Sequence, residues 1–184
     1  MIFGGEIESN CSGYQLIYTF DTQKLTWKPF TTNGIQPPRK ESISPIINSF
    51  EKLFSFGGWM APETGAAQAQ YLYLDILDII GLNWSNDSLL NAPTARGGYA
   101  SILLPNDTIL YLGGWSFGLT IELNASINDV VPEGRGHFTA VFGLNKDRLI
   151  IYGGECSVPS IHDAQPSLAV LNLSSKPFAW ISQK

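Results

Sequence analysis

The chain has 184 residues, a formal charge of −5 and 11 Lys plus Arg scattered without a basic stripe, which argues against nucleic acid and anionic membrane surfaces as ligands. A hydrophobic content of 44% supports a substantial core, and 18 glycines suit many short strands and tight turns. No apolar run approaches the roughly 18 residues of a spanning helix, and the opening "MIFGGEIE" has neither the basic region nor the apolar stretch of a signal peptide.

In chain order, a short apolar run closes on Gly4 and Gly5, and the alternating run "YQLIYTFD" ends at Asp21, six residues before Trp27. "RKESISPIINSFEKLFSFGGW" then starts at Arg39: apolar run, polar turn, apolar run, and the pair Gly57 and Gly58. After it "YLYLDILD" ends at Asp78, again six residues before Trp84. "RGGYASILLPNDTILYLGGW" repeats the pattern from Arg96 to Gly113 and Gly114. "RGHFTAVFGLNKDRLIIYGGE" repeats it from Arg135 to Gly153 and Gly154. The last run, "LAVLNLSSKPFAW", has Asn172 in place of the aspartate and Trp180 eight residues on. The separations from arginine to second glycine are 19, 18 and 19 residues, and such self-similarity decides the architecture.

Period-two alternation with aromatic and β-branched residues predicts antiparallel strands, four short ones in each full unit. The units are 1–37, lacking its first strand, 38–94, 95–133, shortened, and 134–184, all within one domain. Each glycine pair ends a second strand where the chain must leave the sheet with positive φ and close backbone approach. Each tryptophan offers a large apolar plate for burial against a neighbouring unit. The aspartates favour the following turn by bonding their own backbone.

With four glycine pairs in register with Arg39, Arg96, Arg135, Trp27, Trp84 and Trp180, the chain resembles the Kelch repeat family, including the Kelch-like domain of galactose oxidase. The resemblance covers nearly the whole chain and implies an all-β, Kelch-type β-propeller of about four antiparallel blades. The shortened third unit and the missing first strand imply an incomplete ring, a piece of a larger propeller.

Function in such a scaffold is expected in its loops. The segments after the glycine pairs carry Glu6, Trp59, Trp115 and Glu155, and the two tryptophans are the expected contacts with a protein partner. Packing between units is the competing reading of both. A glycan is a second class of ligand. N-x-Ser/Thr sequons stand at Asn10, Asn83, Asn86, Asn106, Asn124 and Asn172, with Asn86 and Asn106 read as lying in turns or loops. Their density points to a parent protein in the secretory pathway, with a cytoplasmic location as the alternative. Cys11 and Cys156 follow glycine pairs and read as free thiols, with a bridge as the alternative, and neither lies in a C-x-x-C metal pattern.

No catalytic residue, metal or cofactor is expected. His137 aligns with Glu41 and Gly98 of the other copies, which excludes a catalytic role common to all, and it reads as structural; His162 reads as a solvated loop residue. The resemblance leaves one enzymatic alternative, a fragment of a galactose-oxidase-like, copper-dependent carbohydrate oxidase, but no matching motif surrounds either histidine.

Overall fold

The computed structural model describes residues 1–5, 15–60, 71–87, 92–117, 119–121, 123 and 131–181. All regular structure among them is β, mostly antiparallel, with no helix long and apolar enough to cross a membrane. The chain divides into two compact units, Met1–Ala95 and Arg96–Lys184, between the second and third repeats.

The first unit contains β1 (Ile2–Phe3), β2 (Ile17–Asp21), β3 (Thr26–Pro29), β4 (Asn33–Gly34), β5 (Lys40–Glu41), β6 (Ile46–Ile47), β7 (Lys52–Phe56), β8 (Trp59–Met60), β9 (Leu74–Asp78) and β10 (Asn83–Asn86). One sheet has the order β1-β2-β3, a second has the order β4-β10-β9-β7-β6, in which β4 adds a fifth strand parallel to β10, and β5 and β8 form a separate two-stranded sheet. Ile17 of the first sheet and Leu53, Leu77 and Trp84 of the second bury together, with the Phe3 and Trp84 rings 5.5 Å apart. Full burial of each such side chain is worth about 1.5–3 kcal/mol, so these alternating apolar positions hold the two sheets together.

The second unit contains β11 (Ala100–Leu103), β12 (Ile109–Leu112), β13 (Trp115–Ser116), β14 (Leu119–Thr120), β15 (Thr139–Phe142), β16 (Arg148–Tyr152), β17 (Glu155–Cys156), β18 (His162–Asp163), β19 (Leu168–Asn172) and β20 (Ala179–Ile181). Strands β15-β16-β19-β20 form a four-stranded sheet and β11-β12 a two-stranded one. Ile102, Leu112 and Leu123 bury against Leu149, Ile151, Ala169, Leu171 and Trp180. The Trp180 indole N–H donates to the Leu123 carbonyl at 2.8 Å, so its polar edge is satisfied inside the core.

Turn chemistry explains the hairpins. Asp21 Oδ1 accepts the N–H groups of Gln23 and Lys24, Asp78 Oδ1 those of Ile80 and Gly81, and Asn172 Oδ1 that of Ser174. Leu25 and Leu82, four residues after each aspartate, both take φ 52° to close the turn. The three tryptophans differ in burial: Trp84 and Trp180 are core residues, whereas Trp27 is 51% exposed. Trp27 lies opposite Phe20 on a β3 strand exposed along its length and supplies no buried plate.

The start of each repeat has a common geometry that corrects the alignment of the second. Ser42, Gly98 and His137 all have positive φ, at 55°, 65° and 56°. The residues before them, Glu41, Gly97 and Gly136, pair with Trp59, Trp115 and Glu155. One residue earlier stand the buried cations Lys40, Arg96 and Arg135. Lys40, and not Arg39, is therefore the counterpart of Arg96 and Arg135, and Ser42, not Glu41, that of His137. Two adjacent cations and the replacement of glycine by Glu41 hid this shift.

The cations close backbone ends. Arg135 donates to the Gly153 and Gln165 carbonyls at 3.0 and 3.1 Å, Arg96 to that of Gly113 at 3.0 Å, and Arg39 reaches Gly4 and Gln15 at 2.9 Å each. Lysine lacks the two-armed guanidinium fork, so Lys40 is held differently. Its ammonium meets Asp75 at 2.5 Å and lies over the Tyr71 ring at 4.2 Å. Burial lowers the Lys40 pKa from the ordinary lysine value, and the Asp75 carboxylate opposes that.

All eight glycines of the four pairs have positive φ. At Gly154, φ is 95° and an added Cβ would stand 2.8 Å from both the Gly136 carbonyl oxygen and Phe138 Cβ. At Gly153, φ is 71° and nothing lies within 4 Å of that position. Gly153→Ala is expected to lose about 1–2 kcal/mol, the ordinary cost of left-handed backbone for an L-residue. Gly154→Ala is expected to lose clearly more in denaturant unfolding, because backbone must also move; equal losses would remove close approach as the reason for the second glycine.

Candidate functional site

After the glycine pairs at 57–58, 113–114 and 153–154 the chain makes a short strand. In the first unit β8 pairs with β5, placing half-buried Trp59 opposite Glu41. Glu6, Asn10, Cys11 and Asn124 lie outside the described residues. In the second unit the pairs at 113–114 and 153–154 lead into the hairpins β13–β14 and β17–β18. The two hairpins meet: the Thr120 N–H donates to Ser157 Oγ at 2.9 Å, and the Thr120 hydroxyl lies 3.2 Å from that of Ser157.

Trp115 serves two neighbours. Its indole occupies the space a Cβ on Gly136 would need, and it stacks on His137 with ring centroids 6.3 Å apart and planes 30° apart. His137, at φ 56°, in turn lies over Gly98, where a Cβ would stand 2.7 Å from the imidazole. Trp115 and His137 therefore clamp consecutive repeats together, while Trp115 remains partly exposed. Glu155 is exposed on β17 opposite Asp163.

Beside these hairpins is a cluster that residue spacing did not reveal. Cys156 and His162 face each other directly across β17 and β18, and Glu133 approaches from the segment before Arg135. One ligand-type atom from each, thiol, imidazole and carboxylate, lies within 4.8 Å of the others. His162 is thus a strand residue with a fixed partner rather than a solvated loop residue. The signal was a cysteine and a histidine bracketing the turn-rich "SVPSI", but only hairpin pairing turns that spacing into proximity.

Hydrogen bonds fix the cluster. His162 Nδ1 lies 2.7 Å from the Ser160 carbonyl, to which it donates, and Nε2 lies 3.2 Å from Glu133 Oε2. The same carboxylate oxygen accepts the Gln165 N–H at 2.8 Å. The Ser160 carbonyl, followed by the Glu133 carboxylate, raises the His162 pKa. The Gln165 N–H, aided by His162 and Arg135, lowers that of Glu133. Arg135, whose pKa burial lowers, is electrostatically coupled to both Glu133 and Cys156. The Cys156 thiol is buried and free.

Among the sequons, Asn106 is exposed at the β11–β12 turn, with its Oδ1 accepting the Thr108 N–H at 3.3 Å. Asn83 and Asn86 lie on β10 and Asn172 ends β19. Asn86 is therefore a strand residue, and its amide lies 3.4 Å from Asp75 Oδ1. Searches against protein-family models and curated proteins found no match for the chain.

The histidine–glutamate pair has a defined pH window. A raised His162 pKa means that its contribution is full below the ordinary 6.5 and is lost as pH rises through the raised value. A lowered Glu133 pKa means that its contribution is present above 4.5 and is lost as pH falls through the lowered value. An NMR titration of the metal-free protein should give a His162 midpoint above 6.5, and Glu133→Gln should bring it down. An unchanged midpoint in that variant would remove Glu133 as the partner.

Proposed function

We propose that the chain is a segment of a Kelch-type β-propeller that acts as a non-catalytic interaction module, binding a protein partner through the hairpins that follow its glycine pairs. The Kelch reading draws support from the repeated buried cation, positive-φ residue and glycine pair, and from the four-stranded antiparallel sheet β15-β16-β19-β20. Burying the cation and glycine pair gives the hairpins a firm base, which favours recognition without a large ordering cost.

One observation carries the binding role: the turns of the two adjoining hairpins hold large apolar side chains out in water. Phe117, between β13 and β14, is 79% exposed, and Val158 and Ile161, between β17 and β18, are 58% and 69% exposed. Scattered single apolar residues are ordinary on surfaces, but three at the tips of hairpins tied by Thr120 and Ser157 form a place for apolar contact with another protein. Trp115 lies half-buried at the base of the same hairpins, stacked on His137 with its Cδ1–Nε1 edge against Gly136, and so supports them rather than forming their tip.

Photo-crosslinking from residue 158, on the exposed turn between β17 and β18, in an extract of the source cells should capture one discrete protein, with residue 144 as the control because Leu144 is fully exposed on the β15–β16 turn. Phe117→Ala with Ile161→Ala should abolish that capture at an unchanged melting temperature. Capture that is as strong from residue 144, or that survives the double substitution, would overturn the reading.

A further inference from the structure

We propose that Cys156, His162 and Glu133 form a zinc(II) site with a fourth, solvent-facing position. This inference is independent of the proposed partner-binding role. Thiolate, imidazole and carboxylate are a donor set suited to tetrahedral zinc, and three protein ligands leave one position open.

The geometry supports it in three ways. First, the Nε2–Oε2 distance of 3.2 Å is close to the edge of a zinc tetrahedron, about 3.3 Å for bonds of about 2.0–2.1 Å, so these two donors need little movement. Cys156 Sγ, within 4.8 Å of both, completes the face through a modest side-chain adjustment on the same hairpin. Second, donation from His162 Nδ1 to the Ser160 carbonyl leaves the Nε2 lone pair directed at Glu133. In neutral histidine that lone pair would oppose a carboxylate lone pair, and either a proton or a cation between them removes the conflict. A backbone carbonyl on the second ring nitrogen is also the usual support for a metal-bound histidine.

Third, the remaining donors already have an outer shell. The Gln165 N–H orients Glu133 at 2.8 Å, and the Thr120 hydroxyl lies 3.7 Å from Cys156 Sγ, able to donate to a thiolate. His162 and Glu133 side chains are 34% and 42% exposed, which gives an ion its entry path, while Cys156 is the buried anchor. Two anionic ligands balance the charge of the ion, and loading releases the Cys156 thiol proton and, from charged His162, the Nε2 proton. The bound ion would tie the β17–β18 hairpin to the segment that leads into Arg135.

Cobalt(II) is the probe, because a thiolate bond to it gives near-ultraviolet charge-transfer absorption and a tetrahedral site gives intense visible bands. Titrating the full chain with cobalt(II) should show one ion per chain with both signatures, displaced by one equivalent of zinc(II). Cys156→Ser should abolish the charge-transfer band, whereas Cys11→Ser should keep it. His162→Gln and Glu133→Gln, both at exposed positions, should each weaken binding about tenfold or more with the fold retained by circular dichroism. Absence of the thiolate band in the wild-type chain, or a band and affinity unchanged in both His162→Gln and Glu133→Gln, would overturn the assignment.

Discussion

The second, third and fourth repeats of this chain each depend on a buried cation at their start. A glycine pair that turns out of a sheet leaves carbonyls without ladder partners, and a buried unsatisfied carbonyl costs about 1–3 kcal/mol. Arg135 meets two such groups with one guanidinium, at Gly153 and Gln165, and Arg96 meets Gly113; Lys40 is buried against Asp75 instead, and its partly exposed neighbour Arg39 reaches Gly4 and Gln15 of the preceding repeat. Because the cation is fixed from both sides, the backbone that follows it is fixed too. Gly136 exchanges hydrogen bonds with Glu155, and Gly97 with Trp115, so the strands that follow the pairs at 113–114 and 153–154 start from a determined place.

That arrangement links scaffold to surface. Arg135 also donates through Nε to the Glu133 carbonyl at 3.2 Å, so the residue that closes the backbone ends also positions a carboxylate beside Cys156 and His162. Trp115 fills the space above Gly136 and stacks on His137, which makes the base of one hairpin part of the start of the next repeat. The exposed apolar tips at Phe117, Val158 and Ile161 stand on this base. Rigidity below and apolar exposure above is a combination suited to recognition, and the same rigidity brings the three donors of the cluster together.

Much of the β architecture was legible in the sequence because backbone geometry demanded particular residues. Positive φ at the strand exits required the glycine pairs, and the turns required Asp21, Asp78 and Asn172, so both could be read directly. The register of the second repeat was not legible. Arg39 and Lys40 are both cations, and only burial and pairing distinguish them: Lys40 is fully buried against Asp75, a partner 35 residues away. The exposure of Trp27 was hidden for a similar reason, since the motif gives its place on the strand but not what covers it. The cysteine, histidine and glutamate were visible as residues, yet their convergence needs a hairpin and a segment more than 20 residues upstream.

The central claim is that Lys40, rather than Arg39, is the buried cation of the second repeat, and unfolding of Lys40→Met beside Arg39→Met tests it most directly. Lys40→Met strands Asp75 in the interior and should cost about 3–5 kcal/mol. Adding Asp75→Asn, which removes the charge and keeps an acceptor for the Tyr71 hydroxyl, should recover a large part of that loss. Arg39→Met, at the partly exposed edge, should cost about 1–2 kcal/mol for two carbonyl contacts. A larger loss for Arg39→Met, or no recovery on removing the Asp75 charge, would contradict the register and the account built on it.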